Sequence, residues 1–230
     1  MNKAFTMAEV LITLGIIGVI AAVTMPALIS NYQNKAVLSQ FWKAYSSVSN
    51  AYNLILNEDG PYTTWGYNNK TGADSDAISE KFSKHMNFIR TCGYAAKDCW
   101  SNTYKTLNGA VWNLNTWESQ AVLNDGALVY FKSFSEYSGF TIDVNGDKRP
   151  NTLGKDVFQF FITDKGIYPQ GARDCAFLVD SVYCNPDAVV EGCTGTNTNG
   201  SNCAAWIVSN NNMDYLKCPG QLSWSRNVCP

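Results

Sequence analysis

The sequence predicts an α+β protein: a long N-terminal helix, transmembrane over its first half, packed on an antiparallel β-sheet head with a disulfide-rich C-terminal region. Three observations predict it. Val10 to Ile29 is a run of 20 residues without a charge, followed by an amphipathic helical stripe. Residues 127–168 hold β-branched and aromatic runs separated by turn residues. All eight cysteines lie beyond residue 90. At 230 residues the chain is long enough for one ordinary domain and an anchor, or for two small domains.

A helix of the length of Val10–Ile29 spans ~30 Å, the thickness of a bilayer core. A secretory signal peptide has a cationic start and an apolar stretch of roughly 7–15 residues. This run is longer, and Glu9 stands at its edge. A carboxylate well inside a bilayer costs on the order of 2.5–3.5 kcal/mol, so Glu9 needs a partner. Gly15, Gly18 and Ala22 fall on one helix face, either as a close-packing stripe or because glycine is common in membrane helices. Pro26 lacks an N–H and is expected to kink or loosen the turn that begins at Ala22.

The stretch Ala4-Phe5-Thr6-Met7-Ala8-Glu9-Val10-Leu11-Ile12 resembles the class III prepilin signature of type IV pilins and type II secretion pseudopilins. The resemblance covers about the first 30 residues; Pro26 falls where these helices carry one, and Ala4 replaces the usual Gly. It implies that residues 1–4 form a leader, cut between Ala4 and Phe5 by a prepilin peptidase, and that Phe5 is then N-methylated. It gives Glu9 a role in assembly, paired with the amine freed at Phe5 of a neighbouring subunit rather than its own. The implied function is structural: a subunit of a type IV pilus or secretion pseudopilus, with no catalytic activity. The implied partners are copies of itself, other pilin-like subunits, the peptidase, the inner-membrane assembly machinery and membrane lipid. The implied location is the bacterial inner membrane, as a single-pass protein with an extracytoplasmic head. After assembly it is a filament in the periplasm or at the cell surface.

The expected organisation is then a transmembrane helix over 5–29, its amphipathic continuation over 30–57 and a globular head over 58–230. Val37, Phe41, Ala44, Tyr45, Val48, Ala51, Tyr52 and Ile55 recur in steps of three and four. Gly60-Pro61 stops the pattern. Ile78, Phe82 and Met86 predict a second helix over 76–88. Residues 127–134, 140–144 and 157–163 read as strands, and Asp164-Lys165-Gly166 as a turn into Ile167-Tyr168. Ala204–Val208 and Met213–Leu216 are the expected packed elements of the C-terminal region.

No cysteine pair is spaced C-x-x-C and His85 is the only histidine, so disulfides formed outside the cytoplasm are a better reading than zinc. Cys92 and Cys99 are expected to close a short loop. In the stapled C-terminal region Cys203 and Cys218 bracket another, and the connectivity as a whole stays open.

Asp143, Asn145 and Asp147 place three oxygen side chains on alternate residues, and Asn151 and Asp156 follow. Such a loop suits a hard cation such as Ca2+. Lys148 and Gly154 stand where an EF-hand needs Gly and Glu, so it is not that motif. The resemblance favours Ca2+, because major pseudopilins carry one in a loop of the head. An Asx/Gly turn between two strands is the alternative.

Net charge is −2, from 17 basic and 19 acidic residues, and the charges are interspersed, so no nucleic-acid partner is expected. No GxSxG, HExxH, Walker or Rossmann pattern appears. A tethered enzyme would therefore have to rely on carboxylates alone. The other class is a minor, tip-located pilin that binds a ligand or adheres to a surface through Trp65, Trp100, Trp112 and Trp117.

Overall fold

The structure, a computed structural model, describes residues 6–67, 71–94, 99, 103–112, 118–134, 137–173 and 189–230. The chain divides into two units, one ending at Ala36 and the other running Val37–Pro230. Helix α1, Met7–Asp59, contributes to both. Its part in the first unit is exposed almost throughout. It contains a segment long and apolar enough to cross a membrane, none of which is buried within the chain. Pro26 lies inside the helix without ending it.

In the second unit the expected stripe is the core-facing edge of α1. Phe41, Ala44, Val48, Ala51, Tyr52 and Ile55 are all buried. Helix α2, Gly72–Ser83, begins earlier than the periodicity suggests. Thr71 and Asp74 form a reciprocal capping box that fixes the start. Met86 lies beyond the helix, still buried.

Among the described residues eight strands follow: β1 Phe88–Gly93, β2 Tyr104–Lys105, β3 Val111–Trp112, β4 Ser119–Leu123, β5 Leu128–Ser133, β6 Ser138–Asp143, β7 Val157–Thr163 and β8 Gly166–Pro169. Six make an antiparallel sheet in the order β1-β4-β5-β6-β7-β8, and β2 and β3 form a separate hairpin. One sheet face carries Val129, Phe131, Phe140, Ile142, Phe158, Phe160 and Ile162 into the main core with α1 and α2. Phe41 meets Phe158 edge-on at 4.9 Å, and Phe82 stacks on Phe131 at 4.9 Å. The Tyr52 hydroxyl donates to the Thr163 carbonyl. Alternation along the strands sends Leu128, Tyr130 and Val157 to the other face, where they pack with Tyr104 and Leu153 in a second cluster.

The C-terminal region adds a π-helical turn, Val190–Thr194, then α3, Cys203–Asn210, and a 3-10 turn, Asp214–Leu216. Trp206 and Tyr215 anchor it in the main core. Among the described residues three disulfides form: Cys92–Cys99, Cys193–Cys203 and Cys218–Cys229. The bridge expected between Cys203 and Cys218 is therefore corrected. Cys203 opens α3 against the turn that holds Cys193, and Cys218 ties down the tail that holds Cys229. Cys175 and Cys184 lie outside the described residues.

Candidate functional site

Two places carry the sequence-based expectations: the start of α1 and the β6–β7 loop. At the first, Ala4 and Phe5 lie outside the described residues. The Glu9 carboxylate accepts from the Thr6 backbone N–H at 2.8 Å and the Thr6 hydroxyl at 2.8 Å, and the Glu9 N–H donates back to that hydroxyl at 3.2 Å. This is a capping box. Thr6-Met7-Ala8-Glu9 has the S/T-x-x-E spacing that marks one, a signal the apolar run after it overshadows.

The β6–β7 loop, residues 144–156, is built around two buried carboxylates. Asp143 ends β6 on the sheet face away from α1, because its neighbour Ile142 fills the main core. Its Oδ2 accepts from the Tyr104 hydroxyl at 2.8 Å, and its Oδ1 from the Asn145 N–H at 3.3 Å. The chain then turns at Gly146, with φ +66°. A Cβ there would lie 2.3 Å from the Gly126 carbonyl oxygen, so the turn admits only glycine. Asp156 closes the loop by accepting from the Asn151 N–H at 2.8 Å, the Thr152 N–H at 2.6 Å and the Asn145 side-chain amide at 3.2 Å. Asn145 thus bridges the two acids, one with its backbone and the other with its side chain.

Burial pushes the Asp143 carboxyl up to about 8, and the Asp156 carboxylate nearby acts in the same direction. Burial also raises Asp156 above the usual carboxylate range, against the hydrogen bonds it accepts. Among the described residues neither acid belongs to an ion pair. The Asn145 and Asn151 side-chain oxygens are buried without a hydrogen-bond donor. Leaving a buried acceptor without a donor costs about 1–3 kcal/mol, and the Glu118 and Gln120 side chains each carry such an oxygen as well. Two carboxylates and two orphaned amide oxygens are donors of the kind a hard cation takes. Asp147, expected with them, is instead exposed beyond the Gly146 turn. Among the described residues no three of His, Cys, Asp and Glu cluster as metal ligands, so an ion in this loop would be held by the two carboxylates together with amide oxygens.

Other singled-out residues have structural places. The His85 ring lies 3.0 Å from a Glu58 carboxylate oxygen, which ties the end of α1 to the turn after α2. Trp65 is buried, with its indole N–H donating to the Gly60 carbonyl at 3.0 Å. Trp112 packs on Tyr104, while Trp100 and Trp117 lie outside the described residues. A cavity of about 100 Å³ on the sheet face away from α1 is lined by Trp112, Glu118, Lys132, Phe134, Gln159 and Gln170, among others. Burial pushes Glu118 there up to about 7, although Lys132 stands 3.6 Å away.

No family model matches this chain, and neither a curated protein nor a solved structure does.

Proposed function

We propose that this chain is a membrane-anchored, pilin-like structural subunit of a type IV pilus or secretion pseudopilus. Prepilin peptidase processes it at Ala4-Phe5, and it assembles with its own copies and related subunits through α1. One observation carries the reading: the exposed apolar half of α1 begins at an acid, and the same helix continues as the core of an α+β head. A helix that leaves its apolar half uncovered needs lipid or other subunits around it. The three disulfides fit an extracytoplasmic head. In this reading the β6–β7 loop holds Ca2+ through Asp143, Asn145, Asn151 and Asp156, and the cation offsets the charge of the two buried acids.

The test pairs processing with assembly. N-terminal peptide analysis of the native protein should find methylated Phe5 as the first residue. Glu9→Val should leave membrane insertion intact, since it removes a charge, and should exclude the subunit from purified filaments. Normal incorporation of Glu9→Val, or a mature start after the apolar run, overturns the reading. For the loop, chelation should lower the melting temperature of the detergent-solubilised chain, because a bound ion stabilises by mass action. Identical melting curves with and without chelator would leave the loop an Asx/Gly turn.

A further inference from the structure

The β2–β3 hairpin has few means of holding itself together. Its strands, Tyr104–Lys105 and Val111–Trp112, pair only two residues each, too little for a hairpin to stand alone in water. Its attachments run to the loop just described. The Tyr104 hydroxyl donates to Asp143 Oδ2 at 2.8 Å. The Lys105 N–H donates to the Asn151 carbonyl at 3.1 Å, and the Leu153 N–H donates to the Lys105 carbonyl at 2.8 Å. The Tyr104 ring stands edge-on to Tyr130 at 5.9 Å and to Trp112 at 6.1 Å. The hairpin turn also meets the C-terminal region: the Leu107 N–H donates to the Asn199 carbonyl at 2.9 Å, the Asn108 side-chain amide to the Asn197 carbonyl at 3.5 Å, and Leu107 packs against the main core. Two of the candidate cation ligands, Asp143 and Asn151, are thus also fixing points of the hairpin.

We propose that Tyr104 is the positioning residue that couples the β6–β7 loop to the hairpin, so that a divalent cation in the loop orders residues 104–112. The inference rests on the cation reading of the loop. Tyr104 occupies one Asp143 oxygen and so fixes how the other is presented to an ion. The backbone bonds through Asn151 and Leu153 carry the order of the loop into β2. Coupling of this kind is reciprocal: a docked hairpin tightens the ion, and the ion tightens the docking. What the ion orders is molecular surface, since Val111 on the second strand is 62% exposed.

Tyr104→Phe keeps both ring contacts and removes only the hydroxyl. The experiment uses the full chain in detergent, with Ca2+ as probe, and reads calcium affinity by calorimetry and amide hydrogen exchange peptide by peptide. The expected result is that Ca2+ slows exchange in both 143–156 and 104–112 of the natural protein. In Tyr104→Phe binding should weaken about tenfold, as expected for a lost hydrogen bond to a charged group, and the effect on 104–112 should be lost. Protection confined to 143–156 in the natural protein, or undiminished affinity in Tyr104→Phe, overturns the coupling and leaves the cation site standing. Absence of any calcium effect on 143–156 in the natural protein removes the cation site and the coupling together.

Discussion

Glu118 shows how a single side chain sets a pH response. Its side chain is 8% exposed, and burial raises its carboxyl to about 7. An ordinary glutamate titrates near ~4.3, so the folded state binds the proton more tightly than the unfolded one. The sign follows from linkage. Its contribution to stability is fully present below about 4.3 and is lost as pH rises through about 7. Glu118→Gln should therefore flatten the decline in melting temperature between pH 5 and pH 8. At pH 8 it should stabilise the chain by about 1–3 kcal/mol, the cost of a poorly compensated buried charge. Thermal melts at the two pH values check this, and equal destabilisation of the variant at both would show that the Lys132 contact, 3.6 Å away, outweighs burial.

At the scale of elements, α1 in the head divides into a face that holds the core and a face that does not. Phe41 is buried against Phe158 and Phe160, and Phe41→Ala should cost about 3–5 kcal/mol. Leu54, on the same helix, is 48% exposed, and Leu54→Ala should fall within about 0.5 kcal/mol of the natural chain. Chemical denaturation of both variants tests the division. This stripe was legible in the sequence because its period is local, and so were β5, β6 and β7, whose residues are β-branched and aromatic. Strands β1 and β4, FIRTCG and SQAVL, were not. Their polar residues give no strand signal, and pairing on either side of β4 makes them strands. The start of α2 was missed because the Thr71–Asp74 capping box outweighs the apolar period. The loop oxygens were legible as a spacing. Tyr104 was not, because it reaches Asp143 across 39 residues of chain. Asp147 is exposed where Asp143 and Asp156 are buried, because alternate spacing assumes an extended chain and Gly146 bends it.

At the scale of the whole molecule, α1 and the sheet supply the core while the disulfides hold the segment with the least periodic sequence. Replacing Cys218 and Cys229 with Ser should destabilise the chain by about 3 kcal/mol, the cost of reopening a loop of that order. The loss should appear as a lower denaturation midpoint, with the exposed half of α1 unaffected in its partition into membranes. A midpoint equal to that of the natural chain would mean that Tyr215 and Leu222 hold the tail without the bridge. The described bridges span 7, 10 and 11 residues. Eight cysteines admit about 105 pairings, yet each of these described pairs lies within one short stretch of chain. The two sulfurs of a short loop meet at high effective concentration long before distant cysteines arrive. Local closure thus pairs these described cysteines by their nearness along the chain, so proximity itself does the sorting that an isomerase would otherwise have to supply.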